Sequence, residues 1–311
     1  MSSHTKGIQF SLLCLLILGV LPIIAAVRTT EGDAMAFAFW LSFWQLVFAA
    51  PVYWLQRRQS ADTGAPHSAT RKFSQLQTAG LVVLTGVLFG VATFVYVKAV
   101  DLAGPVTFAV AVQAYPLFAL VWESLFLRRR KSVTELGFML TIAASMVYLG
   151  TQGTWHLASV TSGFWLALVV PFLWSVAHVI IKEMMHADAI TPSEVILTRV
   201  LIAALLLGVV CLSTQGWGAI QSTGTSLKFQ MLALLMGAAY YLELFSWFSA
   251  VKHIDVSKAA SVTAPAPALT VLLSIMLLGQ PLHSYQTIAL VLVVGSVMGL
   301  IHHGHRQSRA G

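Results

Sequence analysis

Stretches of about 20 mostly apolar residues recur from end to end of this chain, beginning with IQFSLLCLLILGVLPIIAAV (8–27), and each is long enough to cross a hydrocarbon core. Within lipid every backbone N–H and C=O must be satisfied internally, which leaves only helices or closed barrels. The runs are continuously apolar and lack the in–out alternation of a barrel strand, so the spans are helical. Composition agrees: 58% of residues are hydrophobic and 9% are charged, against about 25% charged in a soluble domain. The expected fold is an all-α integral membrane protein with ten spans, at 8–27, 34–55, 77–97, 105–127, 133–151, 162–181, 193–213, 229–251, 258–278 and 284–301.

The longest connection, RRQSADTGAPHSATRK (57–72), has the Gly, Pro and Ser content of a loop. The other connections are short and leave no room for a soluble domain. Cys14 and Cys211 both fall inside spans, so they are read as free thiols packed as small apolar groups. The first span also has the basic start, apolar stretch and small residues (Ala25, Ala26) of a signal peptide. Its removal would leave nine helices and break the repeat described next.

With the N-terminus in the cytoplasm, the inner loops and tails carry Lys6, Arg57, Arg58, Arg71, Lys72, the RRRK block (128–131), Lys182, Lys252, Lys258, Arg306 and Arg309. The outer loops carry Arg28, Lys98 and Lys228, and Arg199 lies within a span. Fourteen cations against three orient the chain by the positive-inside rule, with both termini cytoplasmic. The net charge of +7 is therefore a topology signal. No basic face interleaved with exposed aromatics lies outside the membrane, so nucleic acid is not an expected partner.

Two segments, Gly86–Gly150 and Gly237–Ile301, align without a gap at a spacing of 151 residues. Pro116 falls on Pro267, Ala99-Val100 on Ala250-Val251 and Leu127 on Leu278, while earlier positions pair Arg28 with Lys182 and Gln45 with Arg199. After the fourth span the chain reads LRRRK, and after the ninth it reads LGQPL. Five spans separate the copies, and an odd number turns the second upside down. One loop is then cytoplasmic and the other is not, which accounts for the cations in one copy alone. The expected domains are two inverted five-helix repeats, 1–151 and 152–311.

SAVKHIDVSKAASVTAPAPALTVLLSIMLLGQPLHSYQTIALVLVVGSVMGL (249–300) resembles the second half of an EamA-type carrier of the drug/metabolite transporter superfamily. Such repeats show a short AL-x-y segment, a small-residue helix reaching a proline, and an LGE corner before the last helix. Ala250-Val251, Pro267 and Leu278-Gly279-Gln280 fill that pattern, and Ala99-Val100, Pro116 and Leu127-Arg128-Arg129 fill it in the first half. TPSEVILTRVLIAALLLG (191–208) resembles the family's second helix, with Arg199 at its basic position. The resemblance implies ten helices, a central cavity between the halves and alternating access by rocking. Two departures stand out: the corner Glu is replaced by Arg129 and Gln280, and the helix-2 Arg is Gln45 in the first half.

Polar groups within spans usually face protein or water. Tyr240, Glu243 and Trp247 fall at i, i+3 and i+7 of the eighth span, a carboxylate flanked by aromatics. The aligned face of the third span carries Phe89, Ala92 and Tyr96. A carboxylate with aromatic walls suits an ammonium-bearing solute; the competing reading makes the aromatics packing groups and pairs Glu243 with a lysine. Gln113 and Tyr115 precede Pro116 in mid-span, and Trp174 and His178 share a face of the sixth span. Tyr96, Gln113, Tyr115, Trp174, His178, Tyr240, Glu243 and Trp247 form the candidate substrate site, with His178 alternatively a packed group or a proton carrier. Glu123 and Arg199 are read as gate or ion-pair residues, Arg199 either pairing with Glu183, Asp188 or Glu194 or contacting an anionic substrate. Pro116 and Pro267 mark kinks, static or hinge-like, because neither has an N–H for the carbonyl four residues earlier. TPSE (191–194) reads as a capping box, and GVLFG and GSVMG as close-packing motifs.

No H-E-x-x-H, C-x-x-C, G-x-S-x-G, Walker A or dinucleotide motif is present, so neither an enzyme nor a cofactor or metal requirement is expected. His302, His303 and His305 sit in the tail. The expected function is a secondary-active exporter or exchanger of a small polar or aromatic metabolite such as an amino acid, in a bacterial inner membrane. It would run downhill or be coupled to a proton or another ion. The alternatives are an uptake carrier for an amine-bearing or quaternary ammonium solute, or a non-transporting membrane scaffold. Oligomeric state is not readable.

Overall fold

The computed structural model describes residues 3–28, 32–62, 74–126, 132–187, 189–254 and 256–310. The RRRK block, most of the 57–72 loop and Asp188 lie outside the described residues, as do the side chains of Glu123, Lys258, His303, His305, Arg306 and Arg309. Twelve α-helices run through the described chain: α1 (Ser3–Val27), α2 (Ala34–Asp62), α3 (Gln75–Ala103), α4 (Pro105–Val112), α5 (Tyr115–Phe126), α6 (Val133–Gly150), α7 (Ser162–His186), α8 (Pro192–Thr225), α9 (Leu227–His253), α10 (Val256–Thr263), α11 (Ala266–Leu278) and α12 (Ser284–Ala310). Nine stretches of these are long and apolar enough to cross a membrane, counting Pro105–Trp122 as one. The remaining span, ninth in chain order, is α10 with α11: the 13 residues of α11 reach only about 20 Å, short of a core of about 30 Å.

The fourth and ninth spans break at related points. Gln113 and Ala114 leave α4 through tight bonds from their N–H groups to the carbonyls of Val110 (3.2 Å) and Ala111 (3.0 Å). Pro116 is then the second residue of α5, and Pro267 is the second residue of α11, after a break at Ala264-Pro265. A proline fits the first turn of a helix, where its missing N–H has no intrahelical partner to lose. The eighth helix stretch also exceeds its expected span. Gly216, at φ 77° and ψ 172°, breaks the helical backbone and kinks the chain within α8. Trp217 is exposed just beyond that turn.

Helix ends carry their own explanations. Thr191 and Glu194 form a reciprocal capping box at the start of α8, with Pro192 at the first helical position. Ser132 and Glu135 do the same for α6. Their 151-residue counterparts are His283 and Gln286, where Gln286 Oε1 accepts from the His283 N–H at 3.1 Å. At the LGQ corner, Gly279 adopts φ 60° and the Gln280 N–H donates to the Ser274 carbonyl at 3.3 Å. The Gly279 N–H closes on the same carbonyl, so the helix ends through a left-handed residue, which glycine accepts without strain. Gln280 Oε1 also accepts from the Ser274 hydroxyl at 3.0 Å.

The chain packs as two compact units. One comprises Met1–Val27, Lys98–Phe172 and Leu242–Gly311; the other comprises Arg28–Val97 and Leu173–Tyr241. In the first unit α6 lies along α12, α4 against α11, and α1 along both α10 and α11. The Thr270 hydroxyl of α11 donates to the Gly19 carbonyl of α1 at 2.9 Å. In the second unit α2 lies along α8. The pairs α2–α8, α4–α11 and α6–α12 each join a span to the one five places later, which is how an inverted repeat packs about a local two-fold axis.

Glycines set the closest approaches. A Cβ on Gly7 would meet His253 and Ile254, and one on Gly163 would meet Leu102 and Ala103, their counterparts at the same 151-residue spacing. In the second unit a Cβ on Gly86 would meet Ile202 at 2.6 Å, and one on Gly90 would come within 3.2 Å of the Ala203 Cα. Gly237, the counterpart of Gly86, faces the α2 backbone at Leu41 and Gln45. In GSVMG only Gly299 is crowded, by Phe138.

Candidate functional site

In the second unit the face of α3 predicted from its spacing, Phe89, Ala92 and Tyr96, is buried throughout. Opposite it, α7 presents Trp174 and His178 one turn apart. The Phe89 and His178 rings are 5.3 Å apart, and those of Tyr96 and Trp174 are 6.3 Å apart. Tyr240 of α9 meets Tyr96 edge to face at 5.6 Å. From α8, the Arg199 guanidinium lies 4.0 Å from the centre of the Phe89 ring. Behind these groups Phe89 belongs to an apolar cluster with Ala177, Ile181 and Val195, against which Trp174 also packs. The structure therefore brings together Tyr96, Trp174, His178, Arg199 and Tyr240, residues from four helices.

The Arg199 guanidinium lies over the Phe89 ring, and Glu194 Oε2 accepts from the Thr191 N–H (2.8 Å) and hydroxyl (2.9 Å). A guanidinium stacked through its face still directs its N–H groups outward from its edge, in the fork that suits a carboxylate or carbonyl. Stacking on an arene lets an arginine sit within a span without losing its charge.

In the first unit Glu243 of α9 is half-buried, and Oε1 accepts from the Cys14 thiol of α1 at 3.7 Å. Cys14, fully buried, thus does more than fill space. No sequence signal pointed to this contact, because α1 and α9 meet only through tertiary packing. Trp247 packs against Ala250, Ile254 and Ala259, with Ile8 and Phe10 alongside. The i, i+3, i+7 face of α9 is thereby divided: Tyr240 joins the aromatic group of the second unit, and Glu243 and Trp247 join the first. Gln113 and Tyr115 flank the α4–α5 break and are half-buried. The Glu123 side chain lies outside the described residues.

The EamA-like transporter family matches residues 5–151 and 161–301, one match for each repeat. No curated protein matches the sequence. One chain solved by crystallography shares the fold at a TM-score of 0.63 and 17% identity, with 98% of this chain and 99% of that one covered. With ten helical spans built as two repeats and both repeats matched almost end to end, the chain belongs to the EamA-like transporter family.

Proposed function

We propose that this multi-pass membrane transporter is a secondary carrier that exports or exchanges a small polar or aromatic metabolite, such as an amino acid. The observation that carries this reading is the group in the second unit: a guanidinium stacked on Phe89, with His178, Tyr96, Trp174 and Tyr240 around the same α3 face. Rings of this kind favour planar or apolar side groups, and the guanidinium edge favours a carboxylate or carbonyl. Glu243, a carboxylate within a span, is the natural site for a substrate ammonium or a coupling proton. Gln113 and Tyr115, beside a helix break, supply polar groups where a moving span exposes them.

Without a nucleotide-binding loop in the sequence, transport runs downhill or on an ion gradient. The excess of cations in alternate loops supports an orientation with both termini in the cytoplasm, and the setting proposed is a bacterial inner membrane. Labelling Lys131 and His283 from opposite sides of the bilayer tests the orientation; reaction of both from one side refutes it.

Counterflow in liposomes preloaded with a metabolite panel tests the function. Exchange of amino acids or related compounds is expected. Uptake of none, with no ligand-induced thermal shift, would favour a scaffold. The Glu243 carboxylate favours a second reading, an uptake carrier for amines, which uptake of amines lacking a carboxylate would support.

A further inference from the structure

Two buried polar groups on α2 have no role in the reading above. Ser42 is 1% exposed and Gln45 is 6% exposed, one turn apart on the same helix. Neither the Ser42 hydroxyl oxygen nor Gln45 Nε2 has a hydrogen-bond partner among the described residues. A serine in a helix commonly bonds the carbonyl one turn back, as Ser11, Ser124 and Ser145 do here. Ser42 departs from that habit.

Their place in the fold is defined by α9. The Leu41 carbonyl and the Gln45 N–H nitrogen lie 2.7 and 2.9 Å from where a Cβ on Gly237 would stand. One turn on, Phe48 stacks on Tyr241 at 6.4 Å. Gln45 is therefore level with the stretch of α9 that ends in Tyr240, the ring edge-on to Tyr96. Its counterpart in the other repeat is Arg199, level with Phe89, and Phe89 is itself the 151-residue counterpart of Tyr240. Both repeats thus present hydrogen-bond donors at the same step, a guanidinium in one and an amide with a hydroxyl in the other.

We propose that Ser42 and Gln45 form a donor subsite that takes an oxygen acceptor of the transported molecule, a carboxylate or a carbonyl. This rests on the carrier reading above and narrows its substrate class. Gln45 Nε2 can only donate, and the Ser42 hydroxyl can donate alongside it. An ammonium would find acceptors in Gln45 Oε1 and the Ser42 hydroxyl but leave Nε2 unmet, whereas a ligand oxygen meets Nε2 directly. Buried donors left unmet in a low-dielectric interior are costly, so a ligand oxygen that arrives during the transport cycle gains from both.

The test uses the full-length protein in detergent with two probes, L-phenylalanine and phenethylamine, which share a ring and an amine and differ by the carboxylate. Gln45→Leu and Ser42→Ala are expected to weaken L-phenylalanine binding about tenfold and leave phenethylamine unchanged. Gln45→Asn, which keeps the amide, should fall between. Should Gln45→Leu not fold, the smaller Ser42→Ala change decides. Equal weakening of both probes overturns the subsite. So does unchanged binding with a raised melting temperature, the signature of donors that merely meet ordered water. A wild-type protein that binds phenethylamine and not L-phenylalanine overturns the subsite and leaves the carrier reading standing. Binding of neither probe sinks the amino-acid reading and the subsite together.

Discussion

Around Gly86 and Phe89 on α3, a guanidinium from α8 lies over a phenyl ring, and the glycine accommodates the side chain of Ile202. Around Gly237 and Tyr240 on α9, the related positions hold a phenol and a buried amide, and the glycine accommodates the backbone of α2. The two neighbourhoods share a glycine, an aromatic three residues later and a crossing helix that bears a donor. Geometry has been kept and chemistry has diverged. Close approach of helices depends on a missing Cβ at one place, which a repeat preserves, whereas recognition depends on side-chain ends that each copy can change alone.

The largest expected effect tests a difference between copies. Glu243 has Ala92 as its counterpart, so only one copy carries a carboxylate at this position. Glu243→Gln should abolish transport or remove its pH dependence, read as proteoliposome counterflow across a pH series; wild-type behaviour would end its assignment. Arg199 differs from Gln45 in charge. Bonds to charged groups contribute about 1.5–3 kcal/mol, so Arg199→Met should cut transport roughly 10- to 100-fold, with melting temperature as the control for folding.

The glycine pair sharpens the comparison on stability. A methyl on Gly237 meets a carbonyl oxygen at 2.7 Å and a backbone nitrogen at 2.9 Å, so Gly237→Ala should cost up to about 3 kcal/mol. Gly86→Ala meets an isoleucine side chain, which can shift, and should cost less. Equal losses in detergent melting would show that the two crossings are not different in kind. At the start of the last helix of the first repeat, Ser132→Ala removes a side-chain cap and should cost about 1 kcal/mol. The smallest effect concerns Thr270, whose counterpart is Ala119. Thr270→Val deletes the bond to the Gly19 carbonyl and should cost about 0.6 kcal/mol.

Much of the architecture was legible from the chain alone. Spans follow from apolar length because lipid forbids unsatisfied backbone, and the inversion follows from the odd number of spans between copies. The TPSE cap forms as its spacing requires, since capping needs only residues three apart. The α3 face Phe89–Ala92–Tyr96 was readable for the same local reason. Local pattern was a poorer guide where several helices meet. Arg199 has acids near it in sequence, and nothing local announces that its guanidinium also lies over Phe89, 110 positions away. Cys14 reads as a small apolar group, and its bond to Glu243 exists only because α1 and α9 pack together.

The sequence by itself determined the spans and the repeat, because each depends on a property of one segment: its apolar length or its likeness to another segment. Tertiary structure alone decided which polar side chains share a neighbourhood, where α4 and α10 actually end, and that Ser42 and Gln45 are buried without partners. The physical reason is that a helix fixes directions only within a few turns. What stands opposite a side chain depends on how distant helices cross.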